Sequence, residues 1–268
     1  MSAKPQAADM KKRLKPSRTL STLCGLLLLL DAPPFLLAEP TPTAIAAFNN
    51  YAHTVELRLA AQHRSPKILA PTPQDLRNGN LVIEQLTPTT ISLSGALLHH
   101  WRGTAFAPGA HAADFERLMR DFNSYPQHFA PEVLEAQILN QSGDHMQASM
   151  RIRQHHVITV VMDTTYDVDF TPIDAHHGYS ISRSIHIAEL DSTNRPLSAA
   201  DEHGFLWRLN TYWSYEERDG GLYLQIEAVS LSRSIPAGLG WAIRPYVDSI
   251  PRESLEFTLT SARNSLRR

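Results

Sequence analysis

The stretch 220–266, GGLYLQIEAVSLSRSIPAGLGWAIRPYVDSIPRESLEFTLTSARNSL, decides how the rest of the chain is read. Leu222, Leu224, Ile226 and Ala228 alternate with Tyr223, Gln225 and Glu227, which is the two-residue period of a strand. From Leu239 the period changes. Ile243, Tyr246, Val247, Ile250, Leu255, Leu259, Ala262 and Leu266 follow the 3.6-residue repeat of an amphipathic helix. A Pro-Ala-Gly corner at 236–238 joins the two, and Pro236 suits a helix start. Pro245 and Pro251 predict a kink, or a division into segments. A terminal amphipathic helix must bury its stripe, and the concave face of a curved antiparallel sheet is the surface that can take it.

The sequence upstream supplies such a sheet. ALLHHWRGTAFAPG (96–109) reads as a strand, and AADFERLMRDFNSYPQHFAP (112–131) as a helix with Phe115, Leu118, Met119 and Phe122 on one face. The helix stops before Pro126. Long strand-like runs follow at 132–141, 145–154, 157–170, 178–190, 204–217 and 221–233, separated by turn signals such as Ser142-Gly143-Asp144 and Asp219-Gly220-Gly221. Strands of this length predict strong curvature. Before them, 44–62 carries Ile45, Phe48, Val55 and Leu59 at helical spacing, which predicts a helix lying on the main domain. The segment 64–80 reads as loop, 81–86 as a strand and 87–95 as linker.

The first 38 residues have a different character. MKKRLKPSRTLSTLCGLLLLLDAPPFLLAEP (10–40) has a basic start, an apolar run from Leu20 to Leu30, and an ending at Leu36-Leu37-Ala38. This is a secretory signal pattern, in which Met10 is an alternative first residue. The apolar run is too short to span a bilayer, and Asp31, Pro33 and Pro34 interrupt it; a retained N-terminal membrane anchor is the competing reading. The expected organisation is therefore signal peptide 1–38, an N-terminal extension 39–94, and a main domain 95–268. The product is expected to be secreted or periplasmic.

The whole chain has 268 residues and a formal net charge of −2. A chain beginning at Glu39 keeps 19 basic and 25 acidic residues, a mildly acidic balance that argues against nucleic acid. Cys24, the only cysteine, lies in the apolar run, so such a chain has neither disulfides nor thiolate chemistry. No cofactor is implied. There is no Gly-x-Ser-x-Gly elbow, phosphate loop, dinucleotide fingerprint or His-Glu-x-x-His pattern, so no catalytic residue and no metal site is assigned. The doublets His99-His100, His155-His156 and His176-His177 do not change this, because neighbours on a strand point to opposite faces.

The order of elements, with the texture of FERLMRDFNSYPQHFAPEVLEAQILNQSGDHMQASMRI (115–152) and DGGLYLQIEAVSLSRSIPAGLGWAI (219–243), resembles the START-like helix-grip superfamily, which includes polyketide cyclases and coenzyme-Q-binding START relatives. The resemblance covers roughly 95–268, and 39–94 departs from the family plan. It implies an α+β fold in which a curved antiparallel β-sheet wraps around a long C-terminal helix, here with an N-terminal helical extension. It also implies a cavity between sheet and helix for a hydrophobic small molecule or lipid.

Strand alternation then nominates the cavity face. In 157–170 it carries Met162, Thr164, Tyr166, Val168 and Phe170, with Asp163, Asp167 and Asp169 opposite. In 178–190, Arg183 shares a face with Ile181, Ile185 and Ile187, and in 204–217 Phe205, Trp207, Leu209, Thr211, Trp213 and Tyr215 align. Arg183 on an apolar face requires either a protein carboxylate or an anionic ligand group. Tyr166, Thr164 and Thr211 can donate hydrogen bonds to a ligand carbonyl, while Trp207, Trp213 and Trp241 can form its walls. Arg208 and Glu227 are expected to pair across strands on the opposite face. Three functions stay open: a carrier or binder of a hydrophobic molecule that contacts membranes transiently, a cyclase- or hydrolase-type enzyme using Arg183 and Tyr166, and a module whose extension docks a partner. The sequence sets no oligomeric state.

Overall fold

The computed structural model describes residues 39–70, 74–87, 91–93, 95–155, 159–198, 201–234 and 240–267, with 74–75 and 240–248 described for their backbone only. The signal-peptide reading lies outside the described residues. None of the described helices is long and apolar enough to cross a membrane.

The chain begins with α1 (Pro42–His63), whose first turn is capped by Thr41: its side-chain oxygen accepts from the backbone N–H of Ala44 at 3.1 Å. Strands β1 (Val82–Gln85), β2 (Ile91–Leu93) and β3 (Ala96–Pro108) follow, then α2 (Ala112–Arg120) and the short α3 (Tyr125–His128). Six strands come next: β4 (Val133–Ser142), β5 (His145–His155), β6 (Thr159–Pro172), β7 (His177–Glu189), β8 (Arg208–Arg218) and β9 (Gly221–Arg233). The chain closes with α4 (Gly240–Ser265). One antiparallel sheet runs in the order β1-β3-β9-β8-β7-β6-β5-β4, and β2 also pairs with β3. Register shifts in β4 and between β6 and β7 add local twist and bend.

Two expectations are corrected. The segment 87–95, read as linker, contains β2, because Ile91–Leu93 find an edge to pair with along Ala96–Leu98. Of the kink or division expected at Pro245 and Pro251, the division does not occur: the C-terminal helix runs as one element through both.

Both faces of the sheet are covered. On the concave side, Phe115 and Leu118 of α2 and Leu255, Leu259 and Ala262 of α4 join the inward side chains of β3, β5, β6, β8 and β9 in one core. Gly103 of β3 permits the close approach of α4: a Cβ there would lie 2.5 Å from Leu259 Cδ1. The N-terminus of α2 is tied to the sheet by Glu217 of β8, whose carboxylate accepts from the backbone N–H of Ala112 at 2.9 Å, a favourable place for negative charge. On the other side, α1 lays Ala44, Phe48, Ala52, Val55 and Leu59 against Leu98, Tyr212, Val229 and Leu231 in a second core. Ile68, Leu69 and Leu76 of the connecting segment complete the cover over Phe106 and Tyr223.

The interface under α1 also contains a buried charge network. Glu227 of β9, only 2% exposed in its side chain, accepts from Arg58 of α1, from Arg102 Nε at 3.0 Å, and lies 3.0 Å from His100 Nε2. Tyr51 Oη meets the other ring nitrogen of His100 at 3.0 Å. Burial pushes the Glu227 carboxyl up, but the His100 hydrogen bond and the charges of Arg102 and Arg58 outweigh it and hold it at about 2. The expected Arg208–Glu227 pair does not form. Arg208 Nη1 donates to the Trp207 carbonyl instead, and Glu227 lies in register with Arg102.

Candidate functional site

A cavity of about 650 Å³ lies between the concave face of the sheet and the helices. Met119, Phe122, Tyr125 and Phe129, contributed by α2, α3 and the residues beside them, form one apolar wall. Met146, Met150, Ile152, Tyr166, Val168 and Trp213 of the sheet form another, and Leu255 and Phe257 of α4 close over them. The space exists because the central strands turn small side chains inward. Ser180 and Ser182 of β7, Thr211 of β8, and Ala228, Ser230 and Ser232 of β9 all line it. Large residues at these six positions would fill the groove that α4 bridges.

Polar character is concentrated where β3, β6 and β8 begin and β5, β7 and β9 end, as the pairings Ala96↔Arg233, Arg208↔Leu231, His155↔Thr159 and Met162↔Glu189 place them together. His99, Glu132, Gln154, Glu202, His203, Arg233 and Ser234 line this end of the cavity. His99 is buried, with Nε2 3.3 Å from the Ser232 hydroxyl. Its neighbour His100 points to the opposite face and into the Glu227 network, the division that strand alternation demands. Ser180 is buried and aimed at the cavity with no hydrogen-bond partner among the described residues. Glu132, half-buried in the turn before β4, likewise has no side-chain partner among the described residues, and burial pushes its carboxyl up to about 7. Burial also pushes the Tyr166 phenol up to about 12, against an opposing hydrogen bond with Thr164, so it remains a neutral donor at the cavity wall.

One carboxylate shapes the loop at this end. Glu189, at the end of β7 and 3% exposed, accepts from the backbone N–H groups of His203, Gly204 and Phe205 at 2.9, 2.8 and 3.0 Å, and His203 Nδ1 lies 2.8 Å from it. Gly204 is required there twice over. Its φ is +74°, and a Cβ would sit 2.8 Å from Arg233 Cβ. His203, Gly204, Phe205 and Leu206 are thereby held as part of the cavity lining.

Of the residues nominated from the sequence, Tyr166, Thr211 and Trp213 line the cavity together. Arg183 does not. It lies on the outer face of β7, opposite Asp167, and binds Glu56 of α1 and Asp169. The inner face of β7 is the serine face, whereas Ile181 packs under α1. An irregularity leaves Ile185 unpaired between Ser184↔Tyr166 and His186↔Thr165, so a single alternation does not run through the strand. Trp207 is also misassigned. It precedes β8, escapes that strand's alternation, and packs with Tyr212 and Leu231 in the α1 core. Trp241 belongs to the first turn of α4, where only the backbone is described. The Arg183–Tyr166 constellation on which an enzymatic reading rested is therefore not assembled. Sequence reasoning passed over Glu132, which sits in a turn that no periodicity describes. It also passed over the serines, although Ser180-x-Ser182 and Ser230-x-Ser232 carry a period-two signal in small hydroxyl residues.

A curved antiparallel sheet closed around a C-terminal helix, with short helices over its other end, is the START-like helix-grip architecture. No family model matches the chain, and no curated protein does. Solved structures with a similar fold include a STAR-related lipid transfer protein from Xanthomonas axonopodis (17% identity, TM-score 0.44, covering 69% of this chain and 99% of that one). The Zhui aromatase/cyclase from Streptomyces sp. R1128 aligns at 12% identity and TM-score 0.47, covering 64% and 94% of the two chains. A START superfamily protein from Mycobacterium smegmatis aligns at 15% identity and TM-score 0.44, covering 63% and 97%. At these identities the likeness concerns fold alone.

Proposed function

We propose that the protein binds or carries a hydrophobic small molecule or lipid in the cavity beneath α4, and does so outside the cytoplasm after removal of residues 1–38. The observation that carries this reading is the cavity itself. Its volume of about 650 Å³ falls within the range of small-molecule sites, and its walls are mostly apolar, with hydroxyls along the central strands and the charged groups at one end. Space bounded by Met, Phe, Trp and Ile side chains favours an apolar guest, because such a guest removes both its own surface and the lining from water. The hydroxyls of Ser180, Ser182 and Thr211 on the cavity wall are groups that a guest with a polar atom would meet.

The test is native mass spectrometry of protein purified without detergent, beside Ala228→Phe, which puts a phenyl ring into the space left by the smallest residue of the central wall. The expected result is a bound mass that organic extraction removes and that Ala228→Phe loses while keeping its fold. A bare protein that takes up neither lipid extract nor a neutral apolar dye would overturn the reading. Export is tested separately by N-terminal sequencing of the extracytoplasmic product: a start at Glu39 supports it, and retention of Met1 or Met10 in the membrane fraction points to the anchored alternative.

A further inference from the structure

Glu132 is a poor residue for an apolar wall. It stands in the turn between α3 and β4, beside Phe129, Val133 and Ile152, and lines the cavity with no side-chain partner among the described residues. A carboxylate placed there is stripped of part of its water and given nothing in exchange. Its side chain is short and cannot reach far for solvent. Arg233, the cavity's arginine, lies across the sheet at the end of β9, and four strands separate β9 from β4. A long arginine side chain at a rim can keep its head in water, so it asks less of a partner than Glu132 does. Glu202 and His203 belong to the loop held by Glu189, and Glu202 Oε1 accepts from the Glu189 backbone N–H at 3.3 Å, so it is not free in the same sense. Gln154 is the polar neighbour on the Glu132 side of the cavity; it is uncharged and can add a hydrogen bond to whatever Glu132 holds.

We propose that Glu132 is the polar anchor of the cavity and that it selects amphiphiles whose polar group donates hydrogen bonds and is not anionic, a protonated long-chain amine before an alcohol, and either before a carboxylate. This rests on the cavity being a ligand site. The physical basis is that a partly desolvated carboxylate gains most from a cation or donor and is repelled by a second anion. Burial, which pushes Glu132 up to about 7, gives the selectivity a direction in pH: it is full where Glu132 is ionised and weakens as acid protonates it.

The experiment compares dodecylamine, dodecanol and dodecanoate as competitors of a neutral apolar dye bound to the full folded chain, at about pH 8.5 and about pH 5. At the higher pH the order amine, alcohol, carboxylate is expected, with about tenfold or more between first and last. In Glu132→Gln the amine is expected to lose about tenfold relative to the alcohol, each competitor being referred to that variant's own dye affinity, so that the order collapses. At the lower pH the unsubstituted protein should resemble Glu132→Gln. Equal or preferred binding of dodecanoate overturns the proposal, and loss of that preference in Arg233→Gln would name Arg233 as the anchor. An order unchanged by Glu132→Gln also overturns it. Failure of the dye itself to bind overturns the cavity reading, and is distinguishable because selectivity is then never at issue.

Discussion

Arg183 forks onto Glu56: its Nε and Nη2 each lie 2.9 Å from a carboxylate oxygen, and its Nη1 lies 3.1 Å from Asp169. A strand residue is thereby joined to α1 on the outside of the sheet. Because the Arg183 side chain is 39% exposed, solvent weakens the pair. Arg183→Ala is expected to cost about 1 kcal/mol in urea unfolding. Ligand binding should stay within about twofold of the unsubstituted protein, since the residue is absent from the cavity wall. A loss of binding without a loss of stability would mean that Arg183 acts on the site after all.

Glu227 is the more consequential contact with α1. Its own side chain is 2% exposed and meets Arg58, His100 and Arg102, so neutralising it leaves the mostly buried Arg102 without its counter-charge. Glu227→Gln should destabilise by roughly 3 kcal/mol at neutral pH. The carboxyl lies lower in the folded chain, at about 2, than its ordinary 4.5, so its contribution is complete above the ordinary value and disappears as pH falls toward the folded one. Acid titration followed by circular dichroism should show that loss in the unsubstituted protein. Glu227→Gln should lack this part of the pH dependence.

Glu132 has the opposite sign. Its carboxyl lies higher when folded, at about 7 against 4.5, so the folded state binds the proton more tightly and stability falls as pH rises through that interval. Glu132→Gln is therefore expected to raise stability above about pH 7, by about 1 kcal/mol once partial exposure is discounted, and to change little near pH 4.5. Chemical unfolding at the two pH values measures the difference. A residue that weakens the empty protein while facing its cavity is placed as binding groups are.

Glu189 holds three successive backbone N–H groups of the loop over the cavity end, from His203 to Phe205. Glu189→Ala should release that loop at a cost of about 2 kcal/mol, because the buried Gly204 N–H and the part-buried N–H groups of His203 and Phe205 lose their acceptor. Protease nicking near 201–206 and the exchange rate of a bound dye should both increase. A variant with unchanged exchange would show that guests pass elsewhere.

The strands and the terminal helix were legible because each carries its own period, and burial on one side of an amphipathic element is enough to impose it. Faces were harder. The rule that the apolar face of β7 looks into the core misplaced Arg183, since α1 makes the outer side of Ile181 a core as well. On a sheet covered on both sides, hydrophobicity does not separate concave from convex; side-chain size does, and Ser180, Ser182, Ser230 and Ser232 marked the hollow side. Trp207 lies before the first residue of β8, and the alternation expected over 204–217 does not hold until the strand begins at Arg208. Glu132 could not be found this way at all, as nothing local distinguishes a turn carboxylate in water from one facing a cavity.

What the sequence by itself determined is the order and type of the elements, from periodicity, turn residues and the closing amphipathic helix. Those signals are local and survive in a single chain. Only the tertiary structure decided that the second face of the sheet is buried under α1, that the central strands leave about 650 Å³ unfilled, and that Glu132 borders that space without a side-chain partner among the described residues. These depend on which side chains from distant segments arrive at the same point, and on how little volume they occupy there, and no window along the chain contains that information.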